Sequence, residues 1–110
     1  NIGGDTNAVI SKATAQVLKN YLVNAVNNGT GKTAKPDIGG AGGKTATAQT
    51  GQYKNGKEIL NAWFCGFFPE DKPKYTVVVL AEDAISGGSD AAPIFKEIAD
   101  KMYEKGFIDE

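Results

Sequence analysis

Gly42-Gly43-Lys44-Thr45-Ala46-Thr47-Ala48-Gln49-Thr50-Gly51 is the stretch on which the reading of this chain turns. A lysine leads a run of small hydroxyl and methyl residues, with glycines on both sides. A solvated loop carries more Asn, Asp or Pro, and a core strand carries larger side chains. Small residues on an extended backbone let a second backbone approach closely. The hydroxyls and the ammonium offer donors to an anionic group. The stretch reads as a strand, residues 44 to 53, lining a binding surface. Period-two alternation places Thr45 and Thr47 on one side of it.

Outward from this strand, Lys54-Asn55-Gly56-Lys57 carries the Asn-Gly pair that suits a type I′ hairpin turn. The next strand, Ile59–Phe68, is apolar on both alternations after Asn61, which predicts burial on both faces. Trp63 and Phe64 read as core, and Cys65 as a buried small hydrophobe. Pro69 stops the strand, and Glu70–Lys74 is a solvated connection. Tyr75–Ala81 is a third strand, rich in β-branched residues and again apolar on both sides. Ile85–Asp90 reads as a loop. Ser89 or Asp90 is expected to cap a final helix with Pro93 in its first turn. Ile94, Phe95, Ile98, Ala99, Met102 and Tyr103 form the apolar face of that helix, Lys96-Glu97 its solvated side, and Gly106 its end.

Before the opening stretch, residues 29 to 43 hold six glycines and Pro36 and form a loop. Ile10, Val17, Leu18, Tyr21, Leu22, Ala25 and Val26 recur at helical spacing, so a packing helix is predicted over residues 12 to 28, capped by Ser11. Gly29 suits the left-handed position after it. Asn1–Asn7 is read as a frayed lead-in. The chain starts at Asn1 without methionine, which is the expectation for a processed product or a piece of something longer. The fold class is α+β: a three-stranded antiparallel sheet flanked by N- and C-terminal helices, in one unit over residues 1–110. A sheet apolar on both faces needs cover on both. Two helices are too few, so a partner surface is expected.

Composition narrows the chemistry. The chain has 110 residues, 41% apolar and 23% charged, with a formal net charge of -1. No basic cluster offers a nucleic-acid footprint. There is one cysteine and no histidine, so no internal disulfide, no Cys–His nucleophile and no conventional zinc site can form, and no cofactor is implied. No stretch approaches the about 20 apolar residues that span a bilayer. Two Gly-Lys-Thr triplets, at 31–33 and 43–45, fail as phosphate loops. The required first glycine is Val26 in one and Ile38 in the other, and neither triplet joins a strand to a helix.

The second triplet fits better elsewhere. Lys44-Thr45-Ala46-Thr47-Ala48-Gln49 resembles the Lys-Thr-Gly-Thr-Ala-Gln box of penicillin-binding proteins, which belongs with a Ser-x-x-Lys nucleophile and a Ser-x-Asn motif. Three further blocks resemble the same family in the same order: the helix with Asn28-Gly29-Thr30-Gly31-Lys32, the strand Asn61–Pro69, and Gly87–Phe95 leading to the last helix. Together they cover roughly residues 9 to 105, and they are most similar to the class B, transpeptidase-only branch.

The resemblance implies a parent enzyme that cross-links peptidoglycan. Its serine attacks a D-Ala-D-Ala stem peptide and passes the acyl group to an amine of a neighbouring stem, and β-lactams trap that serine. Carried over, Lys44 and Thr47 are the catalytic candidates. Lys44 orients the hydroxyl network, and the Thr47 amide is an oxyanion-hole donor. Thr45, Ala46, Thr47 and Gln49 line the substrate. The parent is expected to be anchored in the bacterial cell membrane with this part outside the cytoplasm. Two departures stand out. Ala46 replaces the box glycine, and a methyl there is expected to crowd the ligand or alter the strand twist. Ser11, Ser86 and Ser89 are followed three positions later by Thr14, Ser89 and Ala92, so the chain holds no Ser-x-x-Lys, and it holds no Ser-x-Asn. It therefore resembles the C-terminal part of a transpeptidase domain without its nucleophile. The competing expectation is a non-enzymatic module that binds partners, or a second copy of itself, along an exposed sheet edge.

Overall fold

The computed structural model describes residues 8–108, so the Asn1–Asn7 lead-in lies outside the described residues. Helix α1 (Lys12–Asn28) leads through a short 3₁₀ turn at Lys32–Ala34 to three strands, β1 (Gly42–Lys54), β2 (Lys57–Phe68) and β3 (Tyr75–Ala84). A single π turn at Gly87–Ala91 then opens into helix α2 (Ala92–Glu104). The sheet is antiparallel in the order β1-β2-β3, which leaves β1 and β3 as its edges. Asn55 and Gly56 both take positive φ, 54° and 79°, as the type I′ turn between β1 and β2 requires.

The strand register sorts the side chains. On one face Gly43, Gly66 and Val77 form a row across the sheet, followed by Thr45, Phe64 and Val79, then by Thr47, Ala62 and Ala81. Helix α2 covers this face. Phe95 meets Phe64 at 4.7 Å between ring centroids and Phe68 edge-on at 5.4 Å. With Val26, Ala34, Ala41, Ala91, Ala92, Ala99 and Ile108 these residues make the core. On the other face run Lys44, Cys65 and Val78, then Ala46, Trp63 and Leu80.

That second face is open. Trp63 is 37% exposed, Leu80 43% and Val78 59%, and Cys65 is exposed. The predicted core positions of Trp63 and Cys65 are therefore corrected. The pleat sends them away from Phe64, and nothing within the described residues covers them. Helix α1 differs in the same way. Only Val26 of its apolar face is buried, while Val17, Leu18 and Tyr21 are exposed. Lys19 Nζ donates to the Asp71 carbonyl and ties α1 to the β2–β3 connection.

The helix ends combine agreement and correction. Ser11 Oγ accepts from the Thr14 amide at 3.1 Å, so the predicted N-cap of α1 is present. Gly29 is not left-handed, with φ -112°. A Cβ there would lie 3.0 Å from the Ala25 carbonyl oxygen, so the position needs glycine for space. Neither Ser89 nor Asp90 caps α2. Its first turn carries Pro93 as predicted, but Asp90 folds back onto the end of β3. Gly106, with φ +81°, ends α2.

Candidate functional site

The box lies on an edge strand, and its residues divide between two faces. Pairing is continuous from Gly42 opposite Phe67 to Gln49 opposite Leu60. Beyond Gln49 the register shifts, and Glu58 Oε2 accepts the Gly51 amide at 2.9 Å. Lys44 and Ala46 point to the open face beside Cys65 and Trp63. Thr45, Thr47 and Gln49 point to the face that α2 covers further in. Lys44, Ala46, Thr47 and Gln49 are exposed, and Thr45 is half-buried. A sheet edge lets one extended ligand see both sets, because a chain laid along it meets alternate side chains from either face.

Local chemistry holds the two threonine hydroxyls. Thr45 Oγ1 donates to Thr30 Oγ1 at 3.0 Å. Thr47 Oγ1 accepts the Gly87 amide proton at 3.3 Å. Thr30 ends the helix-to-loop turn and Gly87 opens the π turn, so residues from opposite ends of the chain flank the strand. Lys44 has no ion-pair partner among the described residues, so its ammonium is open to an incoming anion. Ala46 sits in ordinary extended backbone; Asn55 and Asp83 are the positive-φ non-glycine residues among those described. Its methyl leaves strand pairing unbroken.

The π turn is fastened by Asp90. Its Oδ2 accepts from the Ile85 amide at 2.7 Å, the Ser86 amide at 2.9 Å and Ser89 Oγ at 3.1 Å. These bonds, the Ser86 amide first and the Ile85 amide next, hold its carboxyl below the ordinary aspartate range. Sequence reading placed Thr30 and Gly87 in family-like blocks but did not join them to the box threonines. No local signal could make that connection, because Gly87 meets Thr47 across 40 positions and Thr30 meets Thr45 across 15.

This architecture recurs in known proteins. The penicillin binding protein transpeptidase domain family matches residues 4–100. The chain belongs to that family. Among relatives of this transpeptidase family, peptidoglycan D,D-transpeptidase MrdA of Haemophilus influenzae is 36% identical over 101 residues, covering 80% of this chain and 16% of its own length. Stage V sporulation protein D of Bacillus subtilis is 37% identical over 106 residues, covering 89% of this chain and 16% of its own. The transpeptidase domain of FtsI4 D,D-transpeptidase from Legionella pneumophila superposes with a TM-score of 0.78 at 33% identity, over 87% of this chain and 38% of that one. The chain thus spans about one-sixth of the curated relatives it matches. Among the described residues no helix is long and apolar enough to cross a membrane.

Proposed function

We propose that this chain is the C-terminal portion of a class B transpeptidase domain and supplies one wall of a peptidoglycan cross-linking site. Family membership supports the reaction class. The observation that carries the reading is the division of the box on a free strand edge. It offers an ammonium from one face and two oriented hydroxyls from the other to the same extended ligand.

In this reading Thr45 and Thr47 bind the terminal carboxylate of a D-Ala-D-Ala stem or of a β-lactam. Gln49 extends the polar lining. Lys44 adds positive potential and orients the hydroxyl that attacks. The Thr47 amide donates to the oxyanion of the tetrahedral intermediate, a kind of contact that contributes about 3 kcal/mol to acyl transfer. The attacking serine and its base come from outside residues 1–110, since none of the three serines here has a lysine three positions on. The complete protein is anchored in the bacterial cell membrane with this domain outside the cytoplasm.

Labelled penicillin tests this reading. The chain alone remains unlabelled after denaturation, and a domain joining it to the segment that bears Ser-x-x-Lys is labelled covalently. A heat-stable adduct on the chain alone overturns the assignment of the nucleophile. An unlabelled complete domain overturns the enzymatic reading and favours the sheet-edge module, for which the unpaired outer edge of β1 is the supporting observation.

A further inference from the structure

A threonine hydroxyl can bind an anion only through its proton, so what matters is what occupies its oxygen. Hydroxyl rotors turn to suit their partners, and each has one proton and two acceptor positions. Thr47 Oγ1 already accepts the Gly87 N–H, which leaves its own proton for a group outside. Thr45 donates to Thr30 in the unliganded chain. Thr30 is itself a hydroxyl at 3.0 Å, so the pair can reverse. With Thr30 donating, the Thr45 proton is released as well.

Both supports are built into the fold. The Gly87 amide reaches Thr47 only because residue 87 has no side chain. A Cβ there would lie 2.8 Å from the Trp63 carbonyl oxygen, 2.9 Å from that of Ala46 and 2.9 Å from Thr45 Cβ. The turn is pinned from behind by Asp90 and from the side by Thr33 Oγ1, which donates to the Gly88 carbonyl at 2.5 Å.

We propose that Thr30 and Gly87 are positioning residues of the carboxylate-binding edge: the Gly87 amide donates to the Thr47 oxygen, Thr30 donates to the Thr45 oxygen once their hydroxyl pair reverses on ligand binding, and each so aims its threonine's proton at a bound anion. The inference rests on the transpeptidase reading above, since it needs a carboxylate at the β1 edge.

The test uses a complete transpeptidase domain containing this chain. Pre-acylation affinity and the acylation rate constant are separated by saturation kinetics, with benzylpenicillin and its methyl ester as probes. Thr30→Val weakens binding of the acid by about threefold to tenfold, the loss of one modest hydrogen bond. It leaves the rate constant and the ester unchanged. Thr30→Ser restores the affinity. In a Thr45→Val background Thr30→Val has no further effect, and at the second support Thr47→Val weakens binding of the acid while Thr47→Ser, which keeps the oxygen that accepts the Gly87 amide, restores it. Equal losses for acid and ester, or additive losses in the double variant, overturn the inference while leaving the transpeptidase reading intact. No acylation of the unmodified domain overturns both.

Discussion

Ala46 stands where the family's box has glycine, and the structure locates what the methyl changes. Residue 46 is in ordinary extended backbone, so glycine is not needed for conformation. The methyl projects to the open face beside Trp63, where, on the proposed reading, it takes space from a ligand lying along the edge. Ala46→Gly should therefore speed penicillin acylation of the complete domain severalfold. It should also lower folding stability by about 0.5–1 kcal/mol, from the greater freedom of glycine in the unfolded chain. Stopped-flow acylation and urea unfolding read the two effects, and a slower acylation refutes the crowding argument. At the core, Phe95 bridges Phe64 and Phe68 and is fully buried. Phe95→Ala should cost about 3–5 kcal/mol in urea unfolding. A loss under 1 kcal/mol would mean that α2 is not the principal cover of the sheet. The box and its alternation were legible from small residues and period two. The partners of its hydroxyls were not, because Thr30 and Gly87 approach it only through the fold.

At the scale of elements, α2 is tied to the loop before β1 by one charged cluster. Lys96 Nζ bonds Asp100 Oδ2 at 2.6 Å and Asp37 Oδ1 at 3.1 Å, and the Asp37 amide donates to Asp100 Oδ1 at 2.8 Å. The Asp100 bond first, and the Asp37 bond next, raise the Lys96 pKa above its ordinary value. A group whose folded pKa is raised stabilises fully below its unfolded pKa, and that contribution disappears as pH climbs through the folded one. Thermal stability should thus decline as pH passes the ordinary lysine value of about 10.4. Tyr103, raised by burial, contributes in the same direction. Lys96→Met should change stability little near neutrality, since the pair is solvent-screened, and should flatten the alkaline decline measured by differential scanning calorimetry. An unchanged alkaline limb in this variant would assign the decline elsewhere. Strand order, the Asn55-Gly56 hairpin and both helices were readable from local chemistry. Asp90 was not: its position before Pro93 is that of a cap, but the Ile85 and Ser86 amides offer it two donors at once.

At the scale of the molecule, the apolar pattern predicted more cover than these residues possess. The radius of gyration is 15.5 Å, against about 13 Å for a compact domain of this length. One sheet face is sealed by α2; the other presents Trp63, Val78 and Leu80, and α1 presents Val17, Leu18 and Tyr21. Two-sided apolarity in β2 and β3 is what the proposed reading expects, with the remainder of a transpeptidase domain as the cover. It could not reveal which face would stay open, since both alternations carry large apolar residues. Isolated from that cover, the described residues present an apolar face and two strand edges without a paired strand, the features through which sheets associate. It should self-associate reversibly, with a sedimentation coefficient that rises with concentration. Replacing Trp63 and Leu80 by lysine puts two charges on the open face without touching the Phe64–Phe95 core, so the double variant should sediment as a folded monomer. Association that persists in this variant would move the contact to the strand edges or α1, and a wild-type chain that stays monomeric at high concentration would refute it.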